Sequence, residues 1–195
     1  MTGRILLQFL IFFQTTLLVA QSFDQKVDEV KMTIEGKVRE GYKTNFDFPA
    51  KTIERAWWSY CRDFGRPLNM KGYYRVTIPK EVNNSDVALD LLSISSAVKI
   101  GSSFFLALDD TSLPQSKVST YERQVLGILQ RFKQTVYINE LNEKLESLEK
   151  DAARASKKIR KREGSAKTKA LQDLADLEKL MREVREKIEH IYKAY

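Results

Sequence analysis

Short alternating runs of apolar residues dominate the chain between residues 27 and 109, as in β-strands. Within residues 27–48, one alternating run ends at Ile34, a second begins at Tyr42, and Gly36 lies between them. A period of two places every second side chain on the same face of a sheet, and glycine suits a tight turn. The pattern therefore predicts a β-hairpin over residues 27–48.

A helix is predicted directly after this hairpin. Pro49 suits the first turn of a helix, and Gly65 and Pro67 favour its end. Between them, apolar residues recur at spacings of three and four, at Ile53, Ala56, Trp57, Tyr60, Cys61 and Phe64. Such a stripe indicates a helix that packs on one face of a sheet.

Strand-like sequence returns at residues 68–109. Residues 73–78 are rich in aromatic and β-branched side chains, and residues 87–91 alternate before the phase shifts at Leu92. A phase shift inside a strand predicts a β-bulge. Together these elements predict an α+β domain over residues 21–116, built as a small two-layer antiparallel sheet with one packed helix.

The C-terminal part, residues 117–195, follows a heptad pattern. Two series of apolar residues alternate spacings of three and four: Ile138, Leu141, Leu145, Leu148, Ala152, Ala155 and Ile159, then Ala170, Leu174, Leu177, Met181, Val184, Ile188 and Ile191. When the two series are aligned antiparallel, the residue numbers of each of the seven facing pairs add up to 329. The centre of this symmetry lies between Gly164 and Ser165. The matched seams predict a long antiparallel α-helical coiled-coil hairpin with its turn near residues 163–166.

One continuous helix that dimerises would carry the same heptads. Gly164 and Ser165 favour the hairpin, because glycine commonly ends a helix and serine commonly begins one. An earlier apolar stripe predicts that the first arm also docks on the sheet. Its members are Tyr121, Val125, Leu129, Phe132 and Val136.

The first twenty residues have the pattern of a secretory signal peptide. Arg4 precedes an almost continuous apolar run that ends at Ala20, where cleavage is plausible. An uncleaved membrane anchor is the alternative, although the run is short for a bilayer. A single cysteine, Cys61, forbids an internal disulfide, which suits a periplasmic or envelope-associated protein better than a eukaryotic secreted domain. We therefore expect a signal peptide at residues 1–20 and an exported protein.

The positive charge of the chain is concentrated near the predicted turn. The whole sequence carries +7, and residues 154–169 alone carry eight basic residues against Glu163. The rest of the chain after residue 20 is therefore close to neutral, at −1. The basic residues are Arg154, Lys157, Lys158, Arg160, Lys161, Arg162, Lys167 and Lys169.

This cluster is the candidate binding site of the sequence. A solvated helix end accounts for the cations that precede the turn, since the helix dipole favours cations at the end of a helix. It does not account for Lys167 and Lys169, which lie at the start of the next helix, where the dipole disfavours them. A basic tip predicts contact with an anionic envelope surface or an acidic protein. Nucleic acid is not expected, because export would separate the two. The oligomeric state stays open.

Residues for catalysis are scarce. His190 is the only histidine and is predicted to be exposed, while Cys61 lies on the apolar stripe of its helix and is predicted to be buried. The usual zinc spacings and histidine-based triads are therefore not available, and we expect neither an enzyme nor a cofactor. The pair Asp109-Asp110 could bind a cation but is typical of a turn. The alternative function is a periplasmic protein that binds a small hydrophobic ligand beside Trp57.

The layout resembles an uncharacterised family of exported proteins from Bacteroidetes-type bacteria. The matching residues are Ala56-Trp57, Tyr60 and Gly65, in an early helix between a signal peptide and a long helical tail. The resemblance implies export and an α+β domain with a helical tail. It implies no activity and no site residue.

Overall fold

A computed structural model describes residues 23–83 and 85–194, so the predicted signal peptide of residues 1–20 lies outside the described part. Six strands, four α-helices and a short 3-10 helix (Asp110–Ser112) occur in that part. Their bounds are β1 (Asp28–Ile34), β2 (Lys37–Phe46), α1 (Ala50–Cys61), β3 (Arg66–Asn69), β4 (Tyr74–Ile78), α2 (Lys80–Asn83), β5 (Leu89–Ala97), β6 (Ser102–Leu108), α3 (Gln115–Ile159) and α4 (Gly164–Tyr192).

The six strands form one antiparallel sheet in the order β1-β2-β6-β5-β4-β3. β1 and β2 are the predicted hairpin, and Gly36 in its turn has a φ of 72°, a conformation that glycine adopts without strain. β3 is an edge strand that the sequence pattern did not separate from the preceding loop. Pro67 is tolerated there, since an edge strand needs fewer backbone donors.

The bulge predicted at Leu92 is wrong. β5 pairs residue by residue with β4 and with β6, and neither register contains an extra residue. The apolar phase shifts because β5 buries side chains on both of its faces. Leu91 belongs to the main core, whereas Leu92 packs with Ile34 and Phe105 in a second, smaller cluster.

The second cluster exists because the β1–β2 hairpin curls over the sheet. A Cβ atom on Gly41 would lie 2.5 Å from the carbonyl oxygen of Leu106 and 2.8 Å from Cζ of Phe105, so only glycine permits this close approach. At the hairpin turn, the carboxylate of Glu35 accepts a hydrogen bond from the Tyr73 hydroxyl. Tyr73 immediately precedes β4, so the hairpin tip reaches across β6 and β5.

The main core lies between the other sheet face and two helices. Ile53, Trp57 and Cys61 of α1 are fully buried against it. The first half of α3 lies beside α1, and its predicted docking stripe, Tyr121 to Val136, is buried throughout. The predicted two-layer arrangement of sheet and helices is therefore confirmed, with α3 as a second covering helix.

The second half of α3 and the whole of α4 form the predicted helical hairpin. At its base the Gln134 side chain donates to the Ile191 carbonyl at 2.9 Å, and farther out Arg185 pairs with Glu149 at 3.0 Å. The residue numbers of these two pairs add up to 325 and 334, and the predicted value of 329 lies between them. At about 1.5 Å per residue, α4 is about 44 Å long. None of the helices in the described part combines the length and apolar character needed to cross a membrane.

The turn of the hairpin lies slightly earlier than predicted. α3 ends at Ile159 and α4 begins at Gly164, so residues 160–163 connect the arms. Gly164 has a φ of 57° and is the first residue of α4 instead of the residue that follows α3. Its left-handed conformation reverses the chain, so the glycine is required at the start of the second arm.

Candidate functional site

All eight basic residues of the predicted site are exposed at the end of the hairpin, which we call the basic tip. They come from three segments: Arg154, Lys157 and Lys158 from the last two turns of α3, Arg160 to Arg162 from the connection, and Lys167 and Lys169 from the start of α4. The antiparallel arrangement brings the three segments to one end of the molecule.

Small side chains hold the two arms together just below the basic tip. Ala155 of α3 and Ala170 of α4 are both buried, although their neighbours in sequence are largely exposed. Alanine lets two helix backbones approach closely, so the cations of α3 and those of α4 lie close together. The long polar side chains around these alanines are therefore left in solvent.

The cations of the basic tip are mostly unpaired. Among the described residues, Arg154 alone of the eight has an ion pair, with Asp151 at 3.0 Å. The body of the hairpin differs, since Lys150 pairs with Glu146, and Arg185 joins the two arms through Glu149. The tip is therefore a region of uncompensated positive charge.

Helix stability explains only part of this charge. Lys157 and Lys158 occupy the last turn of α3, where the helix dipole favours cations by about 0.3–1 kcal/mol each. The first turn of α4 contains no acidic residue, and Glu163 makes no capping hydrogen bond through its side chain. Lys167 therefore lies near a helix N-terminus where the dipole opposes it, so helix stability does not account for this cation.

The carboxylates of Asp109 and Asp110 form ion pairs with arginine side chains. Arg39 pairs with Asp109 at 3.0 Å and with Asp110 at 2.9 Å, and Arg75 pairs with Asp109 at 3.2 Å. Burial raises the pKa of Asp109, but hydrogen bonds from Thr111 and the two arginines outweigh it and hold the pKa below its usual value. The cluster attaches the curled β1–β2 hairpin to the rest of the sheet, and no group of three or more metal-ligating side chains occurs in residues 23–83 and 85–194.

His190 and Cys61 have the predicted environments. His190 is exposed on α4. Cys61 is fully buried, and burial raises the pKa of its thiol, which disfavours the reactive thiolate.

The aromatic residues around Trp57 are closely packed in the core. Its ring centroid lies 4.9 Å from that of Phe132 and 5.1 Å from that of Phe104, and Trp57 is 0% exposed. This packing supports a core role for Trp57. The hydrophobic-ligand alternative therefore gains no support at the place where the sequence suggested it.

A buried lysine was missed by the sequence reasoning. Lys133 of α3 is 1% exposed, and its Nζ lies 2.6 Å from Asp24 Oδ1 and 2.8 Å from Thr44 Oγ1. Burial lowers the pKa of Lys133, although Asp24 opposes the shift. The available signal was the position of Lys133 directly after Phe132, which belongs to the apolar stripe. A lysine beside such a stripe is usually interpreted as solvent-exposed, so its burial was not predicted. The contact fastens the N-terminal segment to α3.

Comparisons with models of protein families, with curated proteins and with solved structures find no match for this chain.

Proposed function

We propose that this chain is an exported structural or interaction protein of the cell envelope, and that its basic tip contacts an anionic surface. The observation that carries the proposal is the set of eight exposed cations, with one ion pair among them, at the end of a helical hairpin. A surface of lipid phosphates is the partner that this charge suits best, because it presents many anions without a fixed pattern.

The length of the hairpin favours this proposal. Residues 138–159 of α3 alone extend the arm by about 33 Å at about 1.5 Å per residue. Outside residues 154–169, the chain after residue 20 has a net charge of −1. Since electrostatic interactions decay over about 8–10 Å at physiological salt, the tip can bind an anionic surface while the slightly acidic body stays outside its field.

The number of cations is sufficient for measurable binding. A lysine or arginine near an anionic membrane contributes about 1 kcal/mol. If half of the eight cations reach the surface together, the electrostatic attraction amounts to about 4 kcal/mol before ordering costs. Such binding is reversible and sensitive to salt.

The test is co-sedimentation with lipid vesicles. The chain without residues 1–20 is mixed with vesicles of phosphatidylglycerol and phosphatidylcholine, and in parallel with phosphatidylcholine alone. We expect binding to the anionic vesicles at about 50 mM salt and its loss at about 500 mM, because screening shortens the range of the attraction. Reversing the charge of Lys157, Lys158, Lys161 and Arg162 to glutamate should abolish binding.

A matched variant controls for net charge. Reversing Lys144, Lys179, Arg182 and Lys187, all exposed on the hairpin away from the tip, changes the net charge of the chain equally. This variant should keep most of the binding if the tip is the contact surface. Absence of binding by the wild-type chain at low salt, or equal loss in both variants, would contradict the proposal.

The location in the envelope rests on the N-terminal sequence and on the resemblance to exported proteins. Expression of the full chain in a bacterial host, followed by fractionation and intact mass measurement, tests it. We expect a periplasmic or membrane-associated product that lacks residues 1–20. A cytoplasmic product that retains Arg4 and its apolar run would contradict export.

A further inference from the structure

Two adjoining cavities lie along the open side of α1, and we call them together the Trp58–Tyr74 cleft. The larger has a volume of about 450 Å³ and is lined by Lys51, Glu54, Arg55, Trp58 and Tyr74. The smaller, of about 270 Å³, is lined by Glu54 and Tyr74 as well, and also by the β3–β4 turn and by β5 from Ser93 to Ser95. Glu54 and Tyr74 border both, so the two cavities are neighbours.

Two aromatic rings form a corner in this cleft. Trp58 is 38% exposed, and its ring lies 5.9 Å from that of Tyr74 with 67° between their planes. Trp57, the neighbouring residue in α1, is fully buried. A tryptophan kept in solvent beside a polar cleft is typical of a binding surface, since tryptophan and tyrosine are enriched among residues that dominate binding energy.

The rest of the cleft is polar. Glu54 provides carboxylate oxygens on the helix side, and Asn69 lies at the end of β3. On the sheet side, Ser93 is 0% exposed, and its Oγ has no hydrogen-bond partner in the described part of the chain. A buried hydroxyl without a partner is unfavourable, and a water molecule held between it and the cleft would satisfy it.

The charges around the cleft argue against a cationic ligand. Lys51, Arg55 and Lys71 line it together with one carboxylate, that of Glu54. The opening is therefore net positive, so an organic amine would be repelled. A neutral or acidic ligand with many hydroxyl groups fits this lining better.

We propose that the Trp58–Tyr74 cleft binds a saccharide. The C–H groups on one face of a pyranose ring pack against an aromatic ring, while the hydroxyl groups at its edge need partners of the kind that Glu54 and Asn69 offer. The larger cavity, of about 450 Å³, lies by itself within the usual range for small-ligand sites. A peptide is a weaker candidate, because Ile94 is the one aliphatic residue among the described residues that line the two cavities.

The test uses the fluorescence of the two tryptophans. The chain without residues 1–20 is titrated with tetra-N-acetylchitotetraose, maltotetraose and tetragalacturonic acid, and with an unstructured polar peptide. Because Trp58 is exposed and Trp57 is buried, a saccharide that packs on Trp58 should shift the emission to shorter wavelength, with saturation. Isothermal titration calorimetry on the same probes gives the dissociation constant without relying on fluorescence.

Variants assign the binding to the cleft. Trp58→Ala should weaken the saccharide at least about tenfold, the loss typical of an aromatic residue that dominates an interface. Glu54→Gln keeps the shape of the side chain and should also weaken binding, so the assignment survives if the first variant fails to fold. Ile100→Ala, an exposed apolar residue that lines neither cavity, is the control and should bind normally.

The outcomes separate this proposal from that of the basic tip. The charge-reversed tip variant should bind the saccharide as the wild type does. No calorimetric binding of any of the three saccharides up to about 10 mM, tighter binding of the peptide, or unchanged affinity in Trp58→Ala and Glu54→Gln would overturn the saccharide proposal.

Discussion

The α+β body and the helical hairpin are stabilised in different ways. In the body, the stabilising contacts join side chains that are far apart in sequence: Trp57 packs against Phe132, and Arg39 pairs with Asp109. In the hairpin, stability comes from a repeated apolar seam within two neighbouring helices. The difference shows that the body depends on specific contacts between distant segments, whereas the hairpin distributes its stability over many similar layers.

Trp57→Ala should give the largest effect, since it removes a ring that contacts both α3 and β6. Truncation of a buried tryptophan typically costs about 3–5 kcal/mol. We expect loss of the cooperative unfolding transition of the body in urea, followed by near-ultraviolet circular dichroism. The exposed neighbour provides the control: Trp58→Ala should change the free energy of unfolding by less than about 1 kcal/mol. Equal effects of the two changes would contradict the assignment of the core.

Asp109→Asn tests the polar contacts of the body. Removing one partner of a buried ion pair costs up to about 3–5 kcal/mol, and here Arg39 keeps only its pair with the more exposed Asp110. Because the pKa of Asp109 is lowered in the folded state, the wild type has this stability above the pKa of an unfolded aspartate and loses it as pH falls through the folded pKa. Urea unfolding between about pH 7 and pH 3 should therefore show a smaller loss in Asp109→Asn than in the wild type. An identical pH dependence in both would count against this role.

Leu148→Asp is directed at the hairpin and should have a smaller, more local effect. Leu148 is half-buried in the seam, so a charge there should cost about 2–3 kcal/mol and separate the arms. We expect a loss of helical circular dichroism at 222 nm while the near-ultraviolet signal of the body persists. Leu171→Asp, on the exposed side of α4, is the matched control and should leave the helices intact. Retention of full helicity in Leu148→Asp would refute the seam.

Lys133→Met should have the smallest effect and the opposite sign. Asp24 is 60% exposed, so water can replace the lysine as its partner, and Thr44 still donates its hydroxyl proton to the Lys26 carbonyl at 2.7 Å. Replacing a buried charge by an apolar side chain of similar shape is often neutral or stabilising, here by about 1 kcal/mol.

The pH dependence distinguishes this explanation from simple repacking. The pKa of Lys133 is lowered in the folded state, so between that value and the pKa of an unfolded lysine the unfolded chain binds more protons. Wild-type stability should therefore gain a contribution as pH rises through the folded pKa, and Lys133→Met should lack it. Urea unfolding from about pH 7 to pH 10 measures the difference. Destabilisation of Lys133→Met at every pH would contradict the prediction.

Much of the body could be predicted from the sequence, but only at the level of single elements. The stripe that includes Trp57 predicted a helix with one buried face, because helical periodicity is a property of neighbouring residues. The phase shift at Leu92 was misread as a bulge. A strand that is buried on both faces loses its alternation in the same way, and the second face is buried only because Gly41 lets the β1–β2 hairpin curl over it.

The two candidate sites also differ in how far apart their residues lie in the sequence. The basic tip could be located from the sequence because its eight cations lie within residues 154–169. The Trp58–Tyr74 cleft could not, since it joins α1 to the β3–β4 turn and to Ser93 of β5. No local pattern indicates which serine of a strand will face a distant helix.

The sequence by itself determined the helical hairpin, its approximate turn and the charge at its end. Each of these depends on spacings of three or four residues or on composition over a short segment. Only the tertiary structure decided the strand order, the curl of β1–β2 that buries Arg39 against Asp109, and the cleft beside Trp58. These features arise from contacts between segments far apart in the chain, and such contacts depend on how the whole sheet twists and closes, which no single segment encodes.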